Sequence, residues 1–269
     1  MRYDVHVMDD AGITRDAPQG RVARNRRRRA AQFLDAAQRI VTEEGFDALT
    51  LGRLSTEVDA AISSVYHYYP SKGHLVRALQ ADAIGRLTES HDLSVDPVVV
   101  EVGRRLRADD HLIRLVVLGR WFVAAADALP QDIRLLQMIM AQRNSNLDPE
   151  GGAVVLPPIM ALLERVVAAL DAAASAGVVQ PVDPLARAIM WAAALGGVLE
   201  ADDLERYVPG VLGGGRLARQ VSLDLLVGWG ADATEVARID RAIDRVAEKL
   251  PLARTSTSAA PAEASSGAE

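Results

Sequence analysis

The sequence contains no cysteine among its 269 residues. A chain without cysteine has no disulfide framework, no thiolate nucleophile and no cysteine-ligated zinc or iron–sulfur site. Its apolar stretches are also short, because Arg, Asp or Gly interrupts each one before the roughly 18 to 20 residues that a membrane span requires. The opening residues MRYDVHVMDD show no basic-then-apolar signal pattern. We therefore expect a cytoplasmic protein, without a membrane partner, whose stability comes from burying apolar side chains.

The motifs of common enzyme classes are missing as well. The five histidines form no HExxH pair, no GxSxG segment is present, and the glycines at residues 213–215 are not followed by the GK[ST] of a Walker loop. The cluster DDH at residues 109–111 stands alone and is best explained as the start of a helix. We therefore expect no catalysis, no cofactor and no metal.

Acidic residues are in excess, but not along the whole chain. The sequence holds 36 acidic and 30 basic side chains, and this net charge of -6 argues against a polyanionic partner. Residues 1–80 nevertheless carry 12 basic and 10 acidic side chains, whereas residues 81–269 carry 18 and 26. Six arginines and no acid lie in residues 21–29, RVARNRRRR, which we call the basic segment. An arginine run is often only a solvated helix face, so its role depends on the residues that follow it.

Apolar residues recur at three- and four-residue spacing along most of the chain, and no alternating strand pattern is present. This pattern predicts an all-α protein. Asp96 and Asp183, each followed by proline, fit N-caps of later helices, and Asp232 with Glu235 fits a capping box. The small residues on one face of residues 186–198 would allow helices to approach closely.

Two short helices are predicted between two long ones near the N-terminus. Gly45 ends the first long helix, Thr50 is a good N-cap for the next helix, and Pro70 disfavours helical geometry at Tyr69. The predicted order is a long helix from Arg28 to Gly45, a short one over Leu51 to Val58, a turn at Asp59 and Ala60, a short one over Ala61 to Tyr68, and a long helix capped by Ser71. This is the spacing of a helix-turn-helix, whose second short helix is exposed to read the major groove of DNA.

Residues 28–80 resemble the N-terminal DNA-binding domain of the TetR family of bacterial transcriptional regulators. The resemblance is carried by the sequence EGF at residues 44–46 with Thr50 four residues later, and by VYHYYPSK at residues 65–72. Both motifs occur in the family's order and at its separation, whereas the rest of the chain resembles the family only in its helical composition. Asp59 stands where the family usually has glycine, and alanines replace the usual cap of the recognition helix, which leaves Asp59 as a candidate substitute cap.

The resemblance implies a division of the chain into four parts. We expect a disordered leader over residues 1–20, a basic arm and helix-turn-helix DNA-binding domain over 21–80, a helical ligand-binding and dimerisation domain over 81–252, and a disordered tail over 253–269.

The resemblance also implies which side chains contact double-stranded operator DNA. The basic segment would be an N-terminal arm that contacts phosphates or enters the minor groove, while His67 and Tyr68 would hold the phosphate backbone. Ile62 would make an apolar contact, such as with a thymine methyl group. The implied DNA-contacting residues are Arg24, Arg26, Arg27, Arg28, Arg29, Thr50, Arg53, Ile62, Ser63, Ser64, Tyr66, His67, Tyr68 and Lys72.

Several of these side chains also have a purely structural interpretation. Thr50 fits an N-cap as well as a phosphate contact, and Arg53 fits a surface arginine as well as a contact with the backbone or a base edge. One of Tyr66 and Tyr69 belongs to the core, and we expect it to be Tyr69.

The larger part of the chain offers candidates for an apolar ligand pocket between helices. They are Trp121, Phe122, Met138, Met190 and Trp191, each of which taken singly is better explained as ordinary core, together with Gln142, a polar side chain that could orient a ligand. Helices around residues 184–199 and 216–229 resemble the family's dimerising four-helix bundle.

These observations predict a homodimeric transcriptional regulator, most often a repressor in this family, that binds a palindromic operator. A small, apolar ligand in the second domain would release it. The alternative is a helical ligand carrier or partner-binding module whose DNA binding has degraded through the departures at residues 59–62.

Overall fold

A computed structural model describes residues 18–107, 109–141, 149–200 and 213–255. Within these ranges the chain forms ten α-helices and no strand, which confirms the all-α prediction. The chain separates into two compact units, residues 1–72 and residues 73–269. The division therefore falls before the predicted boundary at residue 80. The leader up to residue 17, the tail from residue 256 and the predicted ligand residue Gln142 lie outside the described residues.

The first unit is built from one long helix and two short ones. Its helices are α1 (Pro18–Glu44), a 3-10 turn (Phe46–Ala48), α2 (Leu51–Glu57) and α3 (Ile62–Tyr68). The predicted start of α1 at Arg28 is wrong, because the helix begins ten residues earlier and includes the basic segment. Arginine, alanine and glutamine are good helix formers, and proline suits the first helical position, so the segment extends α1 without apolar periodicity.

Local sequence signals place the ends of the short helices. Gly45 follows α1 with φ of 87°, and the Thr50 hydroxyl oxygen accepts a hydrogen bond from the Arg53 backbone N–H at 3.0 Å, which confirms both predictions. Asp59 adopts the left-handed φ of 46° that the turn requires. Asp59, the candidate substitute cap, does not cap α3, because the N-cap position is Ala61, whose side chain has no acceptor.

Each helix of the first unit contributes a few fully buried apolar side chains to one small core. Phe33 and Ile40 come from α1, Leu54 from α2 and Val65 from α3. Short helices bury too little surface to be stable alone, so α2 and α3 depend on their packing against α1 and each other.

The second unit consists of long helices around one large apolar core. They are α4 (Lys72–Leu106), which starts at the last residue of the first unit, α5 (Asp110–Ala128), α6 (Pro130–Ala141), α7 (Pro149–Ser175), α8 (Pro184–Leu199), α9 (Gly214–Gly228) and α10 (Ala233–Ala247). The carboxylates of Asp109, Asp183 and Asp232 accept backbone N–H bonds at the starts of α5, α8 and α10, which confirms the three predicted caps.

The predicted helix start at Asp96-Pro97 is wrong, because both residues lie inside α4. Proline inside a helix costs about 3 kcal/mol through its missing N–H and a steric clash. Val95, Val98 and Val102 on the same stretch are almost fully buried, and their burial offsets that cost, at roughly 1.5 to 3 kcal/mol per large apolar side chain.

Helix α5 lies at the centre of the second unit and packs against α7, α8, α9 and α10. At Gly119 it approaches α9 so closely that an added Cβ atom would lie 2.0 Å from the Ser222 hydroxyl oxygen. That hydroxyl accepts a hydrogen bond from the Trp191 indole nitrogen at 3.2 Å, so three helices meet at this glycine. At the C-terminal end, the Arg254 backbone N–H donates to the Ser94 hydroxyl, so the start of the predicted tail is attached to α4.

One helical stretch in the described ranges, Gly152–Ser175 within α7, is long and apolar enough to cross a membrane by length and composition. It carries Arg165, whose guanidinium forms two hydrogen bonds of 2.7 Å with the Asp92 carboxylate of α4. The same helix packs against α5 and α8. These contacts assign α7 a place in the folded bundle.

Candidate nucleic-acid interface

Helix α3 has one anchored side and one solvent-facing side. Val65 is fully buried and Tyr69, just after the helix, is 7% exposed, which confirms Tyr69 as a core residue. On the other side Tyr66 is 50% exposed and Ile62 is 48% exposed. Ser63 and His67 are exposed and Ser64 is half-buried. The large side chains predicted to contact DNA therefore face solvent, while Val65 and Tyr69 on the other side anchor the helix in the core.

Aromatic contacts fix the end of α3 against α1. The Phe33 ring meets the Tyr68 ring edge-on at 5.1 Å between centroids, and the Tyr69 ring at 6.3 Å. The Tyr69 hydroxyl donates a hydrogen bond to the Ala30 carbonyl oxygen at 3.3 Å. Edge-to-face aromatic pairs contribute about 0.5 to 1.5 kcal/mol beyond burial, so α3 is held in a defined position on α1.

A cationic groove of about 670 Å³ separates the basic segment from the end of α3. One side presents residues of α1 and the other presents the last residues of α3. The lining residues are Val22, Asn25, Arg26, Arg28, Arg29, Gln32, His67 and Tyr68. Five of the predicted DNA-contacting residues therefore meet at one place, although they come from two separate sequence segments.

Thr50 is exposed at the start of α2. Its hydroxyl oxygen serves as the acceptor of the N-cap bond, which leaves the hydroxyl hydrogen able to donate to a phosphate. The N-terminus of a helix also favours an anion, because its first backbone N–H groups and the helix dipole point toward it. The cap and the phosphate contact are thus compatible in one side chain.

Arg53 is held by two carboxylates. Its Nη2 atom lies 2.5 Å from Glu44 Oε1, and its Nη1 atom lies 3.0 Å from Glu57 Oε2. The hydrogen bond from Arg53 lowers the pKa of Glu44, and the bond to Glu44 raises the pKa of Arg53. Arg53 thereby joins the end of α1 to α2, and contact with DNA would require an exchange of these partners.

Lys72 lies at the start of α4 and is exposed. Its ammonium group is 5.5 Å from the centre of the Phe46 ring and donates to the Phe46 carbonyl oxygen at a long 3.5 Å. The EGF sequence and the lysine of the second motif are therefore in contact.

The sequence prediction missed several residues of this surface. Asn25 and Gln32 line the groove beside the arginines, and Phe33 supports Tyr68 from beneath. Residues 22, 25, 29 and 32 recur at three- and four-residue spacing, so this face becomes visible once α1 is known to extend to Pro18. Glu44, the partner of Arg53, lies inside the EGF motif and carries no separate signal in the sequence.

The predicted ligand residues within the described ranges differ widely in burial. Trp121 and Trp191 are both 3% exposed and belong to the core, Phe122 and Met138 are half-buried, and Met190 is 57% exposed on the surface of α8. The Trp121 indole nitrogen donates to the Ser90 hydroxyl at 3.4 Å, and Trp191 packs edge-on against Trp229. The two tryptophans therefore have structural partners.

A polar group on α4 lies directly beside Trp121. The His91 ring meets the Trp121 ring edge-on at 5.4 Å, and its Nδ1 atom lies 2.9 Å from Asp92 Oδ1. Burial lowers the pKa of His91, although the hydrogen bond to Asp92 acts in the opposite direction. The hydrogen bonds from Arg165 lower the pKa of Asp92 to about 2.

The family model of the bacterial regulatory proteins of the tetR family matches residues 33–79, the segment that contains α2 and α3. The chain is 28% identical over 96 residues to the HTH-type transcriptional repressor KstR of Mycolicibacterium smegmatis, and 23% identical over 135 residues to KstR of Mycobacterium tuberculosis. These alignments cover 36% and 46% of this chain, and 44% and 61% of the two repressors.

Solved structures share the fold at low sequence identity. A Rhodococcus sp. RHA1 protein of unknown function has a TM-score of 0.54 at 19% identity, covering 74% of this chain and 94% of its own. RolR in complex with resorcinol has a TM-score of 0.51 at 16% identity, covering 81% and 95%. FadR of Bacillus subtilis, in complex with stearoyl-CoA, has a TM-score of 0.50 at 16% identity, covering 73% and 97%. Residues 33–79 thus form the helix-turn-helix domain of the tetR family of bacterial regulatory proteins, within an all-α fold that the solved structures share.

Proposed function

We propose that the protein is a homodimeric repressor that binds a palindromic operator through α3 and leaves it when a small apolar ligand binds the second unit. The observation that carries this proposal is the outward face of α3. Tyr66 is half-exposed although aromatic residues are usually buried, and it stands among polar and cationic side chains. An exposed aromatic group in that setting favours contact with a nucleic acid over a structural role.

The dimensions and chemistry of α3 fit the major groove. An α-helix with its side chains is roughly 10 to 12 Å across, which matches a major groove of about 12 Å. Ser63 and Tyr66 would reach base edges, and Ile62 would contact a thymine methyl group. Thr50 and Lys72 would contact the phosphates at either side, which fix the register without reading sequence.

The surface of the second unit supports a dimer. Leu185, Ile189 and Met190 are exposed on α8, and Leu156 and Met160 are exposed on α7. Contiguous exposed apolar side chains commonly mark protein interfaces. A twofold dimer through α8 would present two copies of α3 about 34 to 36 Å apart, the separation of half-sites one helical turn apart.

A ligand-responsive second unit is supported by the structures that share its fold. RolR was solved with resorcinol, which contains an aromatic ring, and FadR with stearoyl-CoA, which contains a long acyl chain. Helices α4 and α5 around Trp121 and Phe122 combine a large apolar surface with the polar groups Ser90 and His91. A ligand that preferred one dimer geometry would change operator affinity by its difference in affinity for the two geometries.

Single substitutions in the DNA-facing surface test this proposal. Operator fragments would be selected from genomic DNA with the full chain, and binding would be measured by fluorescence anisotropy. We expect Tyr66→Ala and Lys72→Ala each to abolish operator binding, since one removes a base contact and the other a phosphate contact.

The matched control is Lys249→Ala, which removes the chain's other lysine from an exposed position in the second unit and should leave binding unchanged. Sedimentation should show the same dimer for all variants. A ligand carrier or partner-binding module would give no palindromic footprint with the wild-type chain, and undiminished binding by Tyr66→Ala would also contradict the proposal. The absence of catalysis and the cytoplasmic location stay predictions.

A further inference from the structure

The basic segment is helical, and its width limits how it can bind DNA. Residues 21–29 lie within α1, which runs without a break from Pro18 to Glu44. With its side chains an α-helix is about 10 to 12 Å wide, whereas the minor groove of B-DNA is about 6 Å wide. A helical segment therefore does not fit into the minor groove as an extended arm does. Its arginines remain available for the phosphate backbone.

The arginines of the segment differ in their surroundings. Arg26 and Arg28 are exposed at the groove between α1 and the end of α3. Arg29 is half-buried, because its guanidinium lies over the Phe33 ring at 5.0 Å and donates to the Gln32 side-chain oxygen at 3.1 Å. At about 3.6 residues per turn, Arg27 falls on the opposite side of α1 from the groove, whereas Arg24 lies one turn before Arg28 on the same side.

The groove offers hydrogen-bond donors from two directions. Arg26 and Arg28 supply guanidinium N–H groups from α1, and His67 and Tyr68 supply an imidazole and a phenol hydroxyl from the end of α3. Phosphate oxygens only accept hydrogen bonds, and planar guanidinium groups bind them in pairs of parallel bonds. Phe33 fixes the Tyr68 ring, so the wall of the groove is held in place before any ligand binds.

We propose that this groove binds the DNA phosphate backbone beside the stretch read by α3, with Arg26 and Arg28 as the contacting arginines, and that the basic segment does not enter the minor groove. This inference rests on the proposed operator binding by α3. His67 and Tyr68 lie at the end of α3 and also line the groove. A DNA strand that borders α3 would therefore continue into the groove.

Two double variants with the same change in charge test the inference. Arg26→Gln/Arg28→Gln removes two charges from the groove, and the control Arg27→Gln/Lys249→Gln removes two charges outside it, one from the opposite side of α1 and one from the second unit. Operator binding by the full chain would be measured as log K against log salt concentration. Each phosphate contact contributes a slope of roughly -0.9, so we expect the groove variant to be shallower by about 1.8. The same change should occur on a nonspecific duplex, and the control variant should keep the wild-type slope.

Phosphate ethylation would locate the contact on the DNA. We expect interference at one or two phosphates outside the stretch contacted by α3, present in the wild type and lost only in the groove variant. Equal slopes for the two double variants, or interference from methylation of adenine N3 in the minor groove, would overturn the inference. If the wild type binds no operator, the proposed function fails instead, so the two failures are distinguishable.

Discussion

The two units of the chain differ in the solvent exposure of the side chains assigned to their candidate sites. In the first unit the side chains proposed to contact DNA are exposed around a small core; they include Tyr66, His67 and the arginines of the basic segment other than Arg29. In the second unit the tryptophans Trp121 and Trp191 are buried and hydrogen-bonded to serines. A surface that meets a polyanion must be exposed in advance, whereas an apolar ligand is received where water is excluded. The exposed side chains therefore identify the candidate DNA-binding surface of the first unit. In the second unit the two tryptophans predicted to line a ligand pocket are buried and cannot be told apart from ordinary core residues.

Their ion pairs show the same contrast. Arg53 and Glu44 of the first unit are both more than a third exposed at the side chain, where water and salt weaken an ion pair. Asp240 of the second unit is 7% exposed and accepts hydrogen bonds from Arg120 and Arg219. Removing one member of a buried group leaves a desolvated charge without a partner. The second unit should therefore be the more sensitive to single polar substitutions.

The largest expected effect is on the buried ion cluster. Asp240→Ala should lower the free energy of unfolding of the second unit by roughly 3 kcal/mol, because Arg120 and Arg219 lose a buried carboxylate and keep only the more exposed Asp244 as a partner. Urea unfolding followed by tryptophan fluorescence measures this unit alone, since all three tryptophans lie beyond residue 120. The matched control is Glu44→Ala, which removes the exposed carboxylate of the first unit and should leave that transition unchanged. A similar loss from both substitutions would remove the contrast between the units.

Close packing at Gly119 is expected to give the next effect. Gly119→Ala places a Cβ atom 2.0 Å from Ser222 Oγ and 3.1 Å from Trp191 Cζ2, so the hydrogen bond between them must shift. Overpacking of this kind typically costs about 1 to 3 kcal/mol. The control Gly85→Ala lies in α4 with no atom within 4 Å of the new Cβ, and should stabilise the unit by up to about 1 kcal/mol through helix propensity. Thermal unfolding that ranks the two variants in the reverse order would contradict this packing.

The smallest expected effect is a pH dependence carried by His91. Burial lowers its pKa below 6.5, so as pH falls through 6.5 the unfolded chain binds a proton that the folded chain does not. The free energy of unfolding of the second unit should therefore decrease as pH falls below 6.5, by at most about 1.4 kcal/mol per pH unit. Asp92, with its pKa of about 2, contributes only at lower pH, because its stabilisation is lost below its ordinary value near 3.8.

A substitution at His91 separates this effect from other titrations. His91→Gln keeps a donor for Asp92 but does not titrate, so its melting temperature should change less than that of the wild type between pH 7 and pH 5. The control His67→Gln changes an exposed histidine of the first unit and should leave the tryptophan-detected transition as steep in pH as the wild type. An equal pH dependence in all three proteins would show that His91 does not carry it.

The features that the sequence predicted correctly depend on neighbouring residues. Thr50, Asp109 and Asp183 cap helices through bonds to backbone groups two or three residues away. The turn at Asp59 is equally local, since it depends on the backbone dihedral angles of one residue. Short-range signals of this kind need no knowledge of the fold.

The two errors concern helix boundaries, and distant packing explains the one at Pro97, whereas helix propensity explains the one in the basic segment. Pro97 would begin a helix on its own, but the buried valines around it keep α4 continuous. The basic segment lacks apolar periodicity, yet it extends α1 as a helix. In both cases the sequence predicted a boundary that the whole helix does not have.

By itself the sequence determined the all-α class, the helix-turn-helix and the set of side chains around α3. Caps, turns and helical periodicity depend on interactions between residues that are close together in the sequence. Only the tertiary structure decided which of those side chains lie together. It brought Arg26 and Arg28 to His67 and Tyr68 about forty residues away, paired Arg53 with Glu44, and buried Trp121 and Trp191 in separate contacts. The physical reason is that these contacts depend on how helices pack, and packing is set by the shape of the whole core rather than by the spacing of any one segment.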